Sequence, residues 1–299
     1  VLLQLKDAER DRVLAGVWRR GSRYRVRRIV VITLSLAILL AVPLTGLARV
    51  DLWSGNHLLL GERVGMTSAL KGVVVAIATL WGSTFLANTI VGRFFCGWGC
   101  PVGYVSRLGE DVEREQSRAV RVRQHLAGAG FVGTFVASVM LWWVDPRVIA
   151  EGSWTARTVV LGVFLALSFG GFLHAFLWRF LFCLRACPIG LYYRYVTSKA
   201  PVGIQFLEVP DACISCGACE KVCPVDLDPK RLGEMLPPAP GAPSGAEERY
   251  GDAECLRCGD CVDACRMVFL LKPGKRPPLR FGRTDAAGPQ PLGGADAPK

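Results

Sequence analysis

All 12 cysteines of the chain fall into four short groups. Two groups are runs of four: Cys213, Cys216, Cys219 and Cys223, followed by Pro224, and Cys255, Cys258, Cys261 and Cys265. The other two are pairs, Cys96 with Cys100 and Cys183 with Cys187, each embedded in the pattern F-C-x3-C-P-[VI]-G. Disulfide frameworks belong to small secreted domains, whereas thiols grouped at short fixed spacings point to metal ligation. The chemistry expected here is therefore coordination by thiolates.

The spacing C-x2-C-x2-C-x3-C wraps three thiolates around three corners of an iron–sulfur cubane and sends the fourth to the cluster of the other run. That rule assigns Cys213, Cys216, Cys219 and Cys265 to one [4Fe-4S] cluster, and Cys255, Cys258, Cys261 and Cys223 to a second. Zinc sites need four tetrahedral ligands, commonly as separated C-x2-C pairs, and two complete runs of four do not suit them. In the paired motifs, a helix would put both sulfurs of each pair on one face, and the proline after the second cysteine would end or kink that helix. Two pairs meeting would offer four thiolates, enough for an iron–sulfur cluster, a mononuclear metal or a redox-active disulfide. Simple burial is the alternative for any free cysteine.

Three histidines complete the inventory. His174 lies in an apolar run, where a titratable side chain is a functional candidate and a quinone oxygen a suitable partner. A structural hydrogen bond is its other reading. His57 and His125 are expected at the surface. No nucleophile triad, Walker loop or dinucleotide fingerprint is present, since the glycines of residues 95–103 interleave with cysteines and follow no strand.

The elements that must position these residues are apolar. Uncharged runs cover residues 29–48, 72–92, 126–144 and 158–178, and about 20 helical residues cross the roughly 30 Å hydrocarbon core. The first follows the arginine-rich stretch Arg19, Arg20, Arg23, Arg25, Arg27 and Arg28; it is longer than a signal-peptide core and is expected as a retained membrane helix. The paired cysteines close the second and fourth runs, so the membrane part reads as a tandem repeat of two helices, an arrangement that commonly places a shared site at its interface.

The net charge of +11 does not indicate nucleic acid, because Lys and Arg gather beside the ends of the apolar runs. Residues 1–28 carry nine and residues 93–125 six, against three in 49–71 and two in 145–157. The positive-inside rule then puts both termini in the cytoplasm, with Trp53, Trp142, Trp143 and Trp154 toward the outer face and Trp178 toward the inner one. The expected fold is a membrane all-α domain of four transmembrane helices followed by a small α+β bacterial-type 2[4Fe-4S] ferredoxin domain. Its parts are a basic segment 1–28, the membrane domain 29–200, the ferredoxin-like domain 201–271, interrupted by a Pro/Gly-rich insertion at 237–245, and a tail 272–299 without fixed fold.

With these motifs in place, the chain resembles the NapH/MauN-like membrane ferredoxins. The resemblance rests on F-C-G-W-G-C-P at residues 95–101, F-C-L-R-A-C-P-I-G at 182–190, and the runs beginning at Cys213 and Cys255, together with four apolar helices. Two departures stand out: Arg266 replaces the proline that often follows the last cysteine, and the insertion between the runs is long. The resemblance implies a multi-pass protein of the bacterial inner membrane that draws electrons from quinol. Its electrons would pass through iron–sulfur centres to a redox partner such as a multi-cluster ferredoxin or multihaem cytochrome. It implies an electron-transfer subunit rather than a stand-alone enzyme. The rival expectation is a maturation factor that reduces or helps build the metal site of another enzyme.

Overall fold

The computed structural model describes residues 22–113, 117–196, 200–207, 213–234, 249–251, 253–270 and 276–283. The basic stretch before Ser22, the Pro/Gly-rich insertion and residues 284–299 lie outside the described residues. The chain forms two compact units, one of residues 27–87 and 95–191, the other of residues 1–26, 88–94 and 192–299.

The first unit is helical. Helices α1 (Arg23–Leu44) and α2 (Met66–Val91) are joined by three two-residue strands, β1 (Ala48–Arg49), β2 (Leu58–Leu59) and β3 (Glu62–Arg63), in an antiparallel meander. α1 ends where Gly46 turns left-handed: the Leu47 amide donates to the Val42 carbonyl and the Gly46 amide to that of Pro43, satisfying carbonyls the helix leaves open. Then follow α3 (Phe94–Trp98), α4 (Pro101–Glu113), α5 (Arg118–Met140), α6 (Arg147–Glu151) and α7 (Trp154–Leu173). α7 runs into a π-helical turn, His174–Trp178, then α8 (Arg179–Arg185) and α9 (Pro188–Val196).

Three helical stretches, Arg23–Leu44, Met66–Val91 and Trp154–Arg185, are long and apolar enough to cross a membrane. Leu34, Ile38, Val75, Leu86, Leu165 and Phe169 on them are exposed, as side chains facing lipid would be. α5, which holds most of the third uncharged run, has the length of a span but not its hydropathy. The reason is local. The helix stops at Met140, so the strongly apolar Leu141, Trp142, Trp143 and Val144 leave it, and the carbonyls of Trp142 and Trp143 instead accept from the amides of Val50 (2.9 Å) and Leu52 (3.0 Å). Both tryptophans pack around Val50, Ala69 and Val73. Beside them Arg49 and Asp145 form a buried ion pair at 2.5 Å. Asp51, fully buried, accepts from the amides of Trp53 and Ser54. Burial pushes its carboxyl up, but these bonds and the Ser54 hydroxyl outweigh it and hold the group below the usual range. His57, expected at the surface, is buried in this connection. Its carbonyl accepts from the Val64 amide, and its Nδ1 has no hydrogen-bond partner among the described residues.

The second unit is built on a two-stranded antiparallel sheet, β4 (Val202–Phe206) with β5 (Leu279–Arg283), in the register Val202 to Arg283 and Phe206 to Leu279. Helices α10 (Ala218–Lys221) and α11 (Asp260–Leu270) lie between them in the chain. Ile204, Val262, Phe269 and Leu279 form one core with Cys219, Cys261 and Cys265. β5 corrects the expectation of a tail without fixed fold from residue 272: composition there is Pro/Gly-rich, yet Leu279 turns inward and is 2 % exposed. The same unit takes in the ends of α1 and α2. Asp263 of α11, 1 % exposed, accepts from the Tyr24 amide (2.7 Å) and the Ser22 hydroxyl (3.0 Å), capping the start of α1. Buried Arg93 donates to the Ala253 carbonyl at 2.9 Å.

Candidate metal centres

The two cysteine runs fold alike. In each, the residue before the second cysteine and the glycine after it take left-handed backbone: Ser215 (φ 51°) and Gly217 (φ 68°) in the first, Arg257 (φ 50°) and Gly259 (φ 82°) in the second. These reversals curl each loop so that its thiols face inward. Cys213, Cys216 and Cys219 line one recess together with Cys265, while Cys255, Cys258 and Cys261 line another together with Cys223. The two recesses are of similar size.

The donor chemistry fits a polyatomic iron–sulfur group. Burial pushes the Cys219 and Cys223 thiols up to about 11 and the Cys255 and Cys265 thiols up to about 12, and the Cys261 thiol rises as well. Neighbouring thiols add to this, Cys216 acting on Cys219, Cys258 on Cys223, and Cys219, Cys216 and Cys213 on Cys265. Thiols crowded in this way bind as thiolates only where a cationic metal compensates their charge. Amide donors already point at the sulfurs, Ser215 to Cys213 Sγ at 3.4 Å and Leu227 to Cys223 Sγ at 3.3 Å, the kind of bond that tunes a cluster. Among the described residues no three His, Cys, Asp or Glu side chains close on a single point; the sulfurs instead line the walls of a recess, as a group held at its corners needs.

The paired motifs also share one local structure. The first cysteine of each sits in a helix, Cys96 in α3 and Cys183 in α8. The second cysteine lies outside it, so the pairs are not on one continuous helical face. In copy one the amides of Gly99 and Cys100 both donate to the Phe95 carbonyl at 2.9 Å; in copy two those of Ala186 (2.9 Å) and Cys187 (2.8 Å) both donate to that of Phe182. Proline then begins the next helix, where its missing amide hydrogen costs nothing, and the carbonyls of Cys100 and Cys187 accept from Tyr104 (3.0 Å) and Leu191 (2.9 Å). Cys100 and Cys187 thus stand at the N-terminal ends of α4 and α9. Burial pushes the Cys100 thiol up to about 12, with Cys96 and Cys183 both near enough to raise it further and the amides of Gly103 and Val102 opposing them. Cys96 and Cys183 thus lie within electrostatic reach of Cys100. Cys187 is half-buried four residues beyond Cys183.

His174 opens the π-turn. Its Nε2 lies 3.3 Å from the Ser106 hydroxyl of α4, and its ring meets Phe182 edge-on at 5.0 Å. α4 approaches closely because Gly109 has no side chain: a Cβ there would overlap the Ala175 carbonyl. One turn beyond Ser106, Glu110 accepts from Arg179 at 3.2 Å, and Arg179 itself has a positive φ (41°) with ψ −132°, outside the helical regions. Ser106, Glu110 and Arg179 carry no motif in the sequence. Their spacing on α4 is helical, but nothing in it names a partner 68 residues away. His125 is half-buried and stacked on Phe176 at 4.7 Å.

Two family models, each described as a 4Fe-4S dicluster domain, match residues 205–266 and 181–227. The second match reaches back over Cys183 and Cys187. Over 284 residues the chain is 26 % identical to the ferredoxin-type protein NapH of Escherichia coli, covering 87 % of this chain and 92 % of that one. It is 28 % identical over 231 residues to the methylamine utilization ferredoxin-type protein MauN of Methylorubrum extorquens, covering 70 % and 77 %. A 49-residue stretch is 41 % identical to ferredoxin-1 of Caulobacter vibrioides, covering 16 % and 36 %. No solved structure matches. The resemblance read from the motifs is thus borne out by relatives that span most of the chain.

Proposed function

We propose that this chain, a relative of the ferredoxin-type NapH and MauN proteins, is a membrane-bound iron–sulfur protein that takes electrons from quinol and passes them to a redox partner. The observation that carries the reading is the sorting of eight thiols into two recesses of four, one lined by Cys213, Cys216, Cys219 and Cys265, the other by Cys255, Cys258, Cys261 and Cys223. Each recess would hold one [4Fe-4S] cluster, which supplies one-electron chemistry when bound. The chain's part is to fix four sulfurs, aim amide hydrogens at them and keep water off with Ile204, Leu256, Phe269 and Leu279.

Cys96, Cys100, Cys183 and Cys187 form a third redox or metal centre in this reading, where the two hairpins of a four-helix repeat meet, and His174 hydrogen-bonds a quinone oxygen. The common backbone pattern of the two motif copies and the nearness of Cys96 and Cys183 to Cys100 support it. Both termini lie on the cytoplasmic side of a bacterial inner membrane, which requires α5 to cross as a fourth span beside the three more apolar ones. The partners are the lipid and quinone pool and a multi-cluster ferredoxin or multihaem cytochrome. Anaerobically purified protein carrying about eight iron and eight sulfide in the C-terminal domain is expected to be reduced by added quinol. Clusters that dithionite reduces and quinol does not would remove the quinol reading and leave the maturation factor.

A further inference from the structure

We infer that His174 accepts the protons of quinol at its Nδ1, and that Ser106 is the positioning residue that keeps the opposite nitrogen, Nε2, protonated. The inference rests on the quinol reading above and gives it an acceptor atom.

A serine hydroxyl has one hydrogen to give. Ser106 is fully buried, and its hydroxyl donates to the Val102 carbonyl one turn back at 3.0 Å. Its lone pair is then what faces His174 Nε2 at 3.3 Å, so Nε2 carries the ring hydrogen and Nδ1 keeps its lone pair. Among the described residues Nδ1 has no hydrogen-bond partner. A basic nitrogen, held in one tautomer and left open, is what a general base needs.

Its surroundings suit a lipid-soluble ring. Leu173, Leu177 and Trp178 beside it are exposed on an apolar span, and Phe182 and Trp178 flank the imidazole edge-on at 5.0 and 6.4 Å. The segment departs from regular helix at this point, through the π-turn His174–Trp178 and the positive φ of Arg179 after it; π-turns are frequent at functional sites. Glu110, one turn along α4 from Ser106 and on the same helix face, pairs its carboxylate with Arg179 of the segment that follows the π-turn.

The proton acceptor also packs on an electron route. Phe182 touches His174, directly precedes Cys183, and holds the amides of Ala186 and Cys187 on its carbonyl. Quinol becomes quinone by losing two O–H protons and two electrons. The two electrons need one-electron acceptors, the chemistry that iron–sulfur groups held by the cysteine thiolates would supply. The protons leave in turn through Nδ1 to solvent, and the imidazole returns to neutral after each.

The test uses the full-length, cluster-loaded protein in anaerobic nanodiscs, following cluster reduction by a soluble menaquinol analogue with dithionite reduction and iron content as controls. H174A is expected to lower kcat about 100-fold with the controls unchanged, and added imidazole to restore part of the rate. S106A is expected to lower kcat about tenfold with KM unchanged, while S106T, which keeps the hydroxyl, stays near wild type. Wild-type protein that quinol does not reduce overturns the quinol reading and this inference together. Wild-type protein that is reduced, with H174A equally fast, or slow through KM alone and not rescued by imidazole, overturns the inference and spares the reading.

Discussion

Left-handed backbone recurs at matching places in both cysteine runs, and the two glycines that carry it differ in their surroundings. Nothing stands within 4 Å of a Cβ built on Gly217, whereas one on Gly259 would sit 2.7 Å from the Tyr24 ring. Gly217→Ala should therefore cost only the backbone term of about 1–2 kcal/mol. Gly259→Ala should cost more, and chemical denaturation of the two variants will rank them. Crossed ligation has its own test: Cys265→Ser should spoil the spectrum of the centre that Cys213, Cys216 and Cys219 line and spare that of its own run. Loss confined to the Cys255 run would refute the crossing. Three thiols of each recess can be read from spacing because their loops are short and local, while the fourth, Cys265 or Cys223, comes from the distant run and follows only from the known pattern of paired runs. Ser106 and His174 cannot be read that way. They are 68 residues apart, and what joins them is the close approach that Gly109 permits.

At the scale of elements, that approach predicts a cost. Gly109→Ala would drive a methyl into the Ala175 carbonyl, destabilise by about 1–3 kcal/mol as overpacking does, and part Ser106 from His174. Thermal unfolding and quinol kinetics on the same sample measure both effects. β5 offers a second prediction. A chain ending at residue 275 loses Leu279 from the core and the Leu279 amide from the Cys265 sulfur, so it should bind less iron, and should lose first the cluster that Cys265 serves. Uncharged runs reveal long helices, since lipid tolerates few charges. A five-residue strand in a Pro/Gly-rich stretch leaves no comparable trace, because its stability comes from its partner β4. α5 shows the converse: a run of apolar residues was visible, but Trp142 and Trp143 near its end pair with the α1–α2 connection instead of extending the helix.

For the whole molecule, charge sets the expectation. Segments assigned to the inner side carry nine and six Lys and Arg, those assigned to the outer side three and two. A reporter fused at the C-terminus should be active only in the cytoplasm, and one inserted at Asn56 or Gly152 only outside; an active external C-terminal fusion would reverse the topology.

The cap on α1 carries a consequence for synthesis. Ser22 and Tyr24 leave the ribosome early, but Asp263, which binds them, is made about 240 residues later. Contacts this distant in sequence form late, after loop closure has been met, and domains otherwise tend to fold in the order they are made. The first apolar helix is therefore made with its Tyr24 amide still bound to water, although Ser22 already accepts from the Arg25 and Val26 amides. The start of α1 becomes fixed only when the second cysteine run has been translated and folded, long after α1 itself is made.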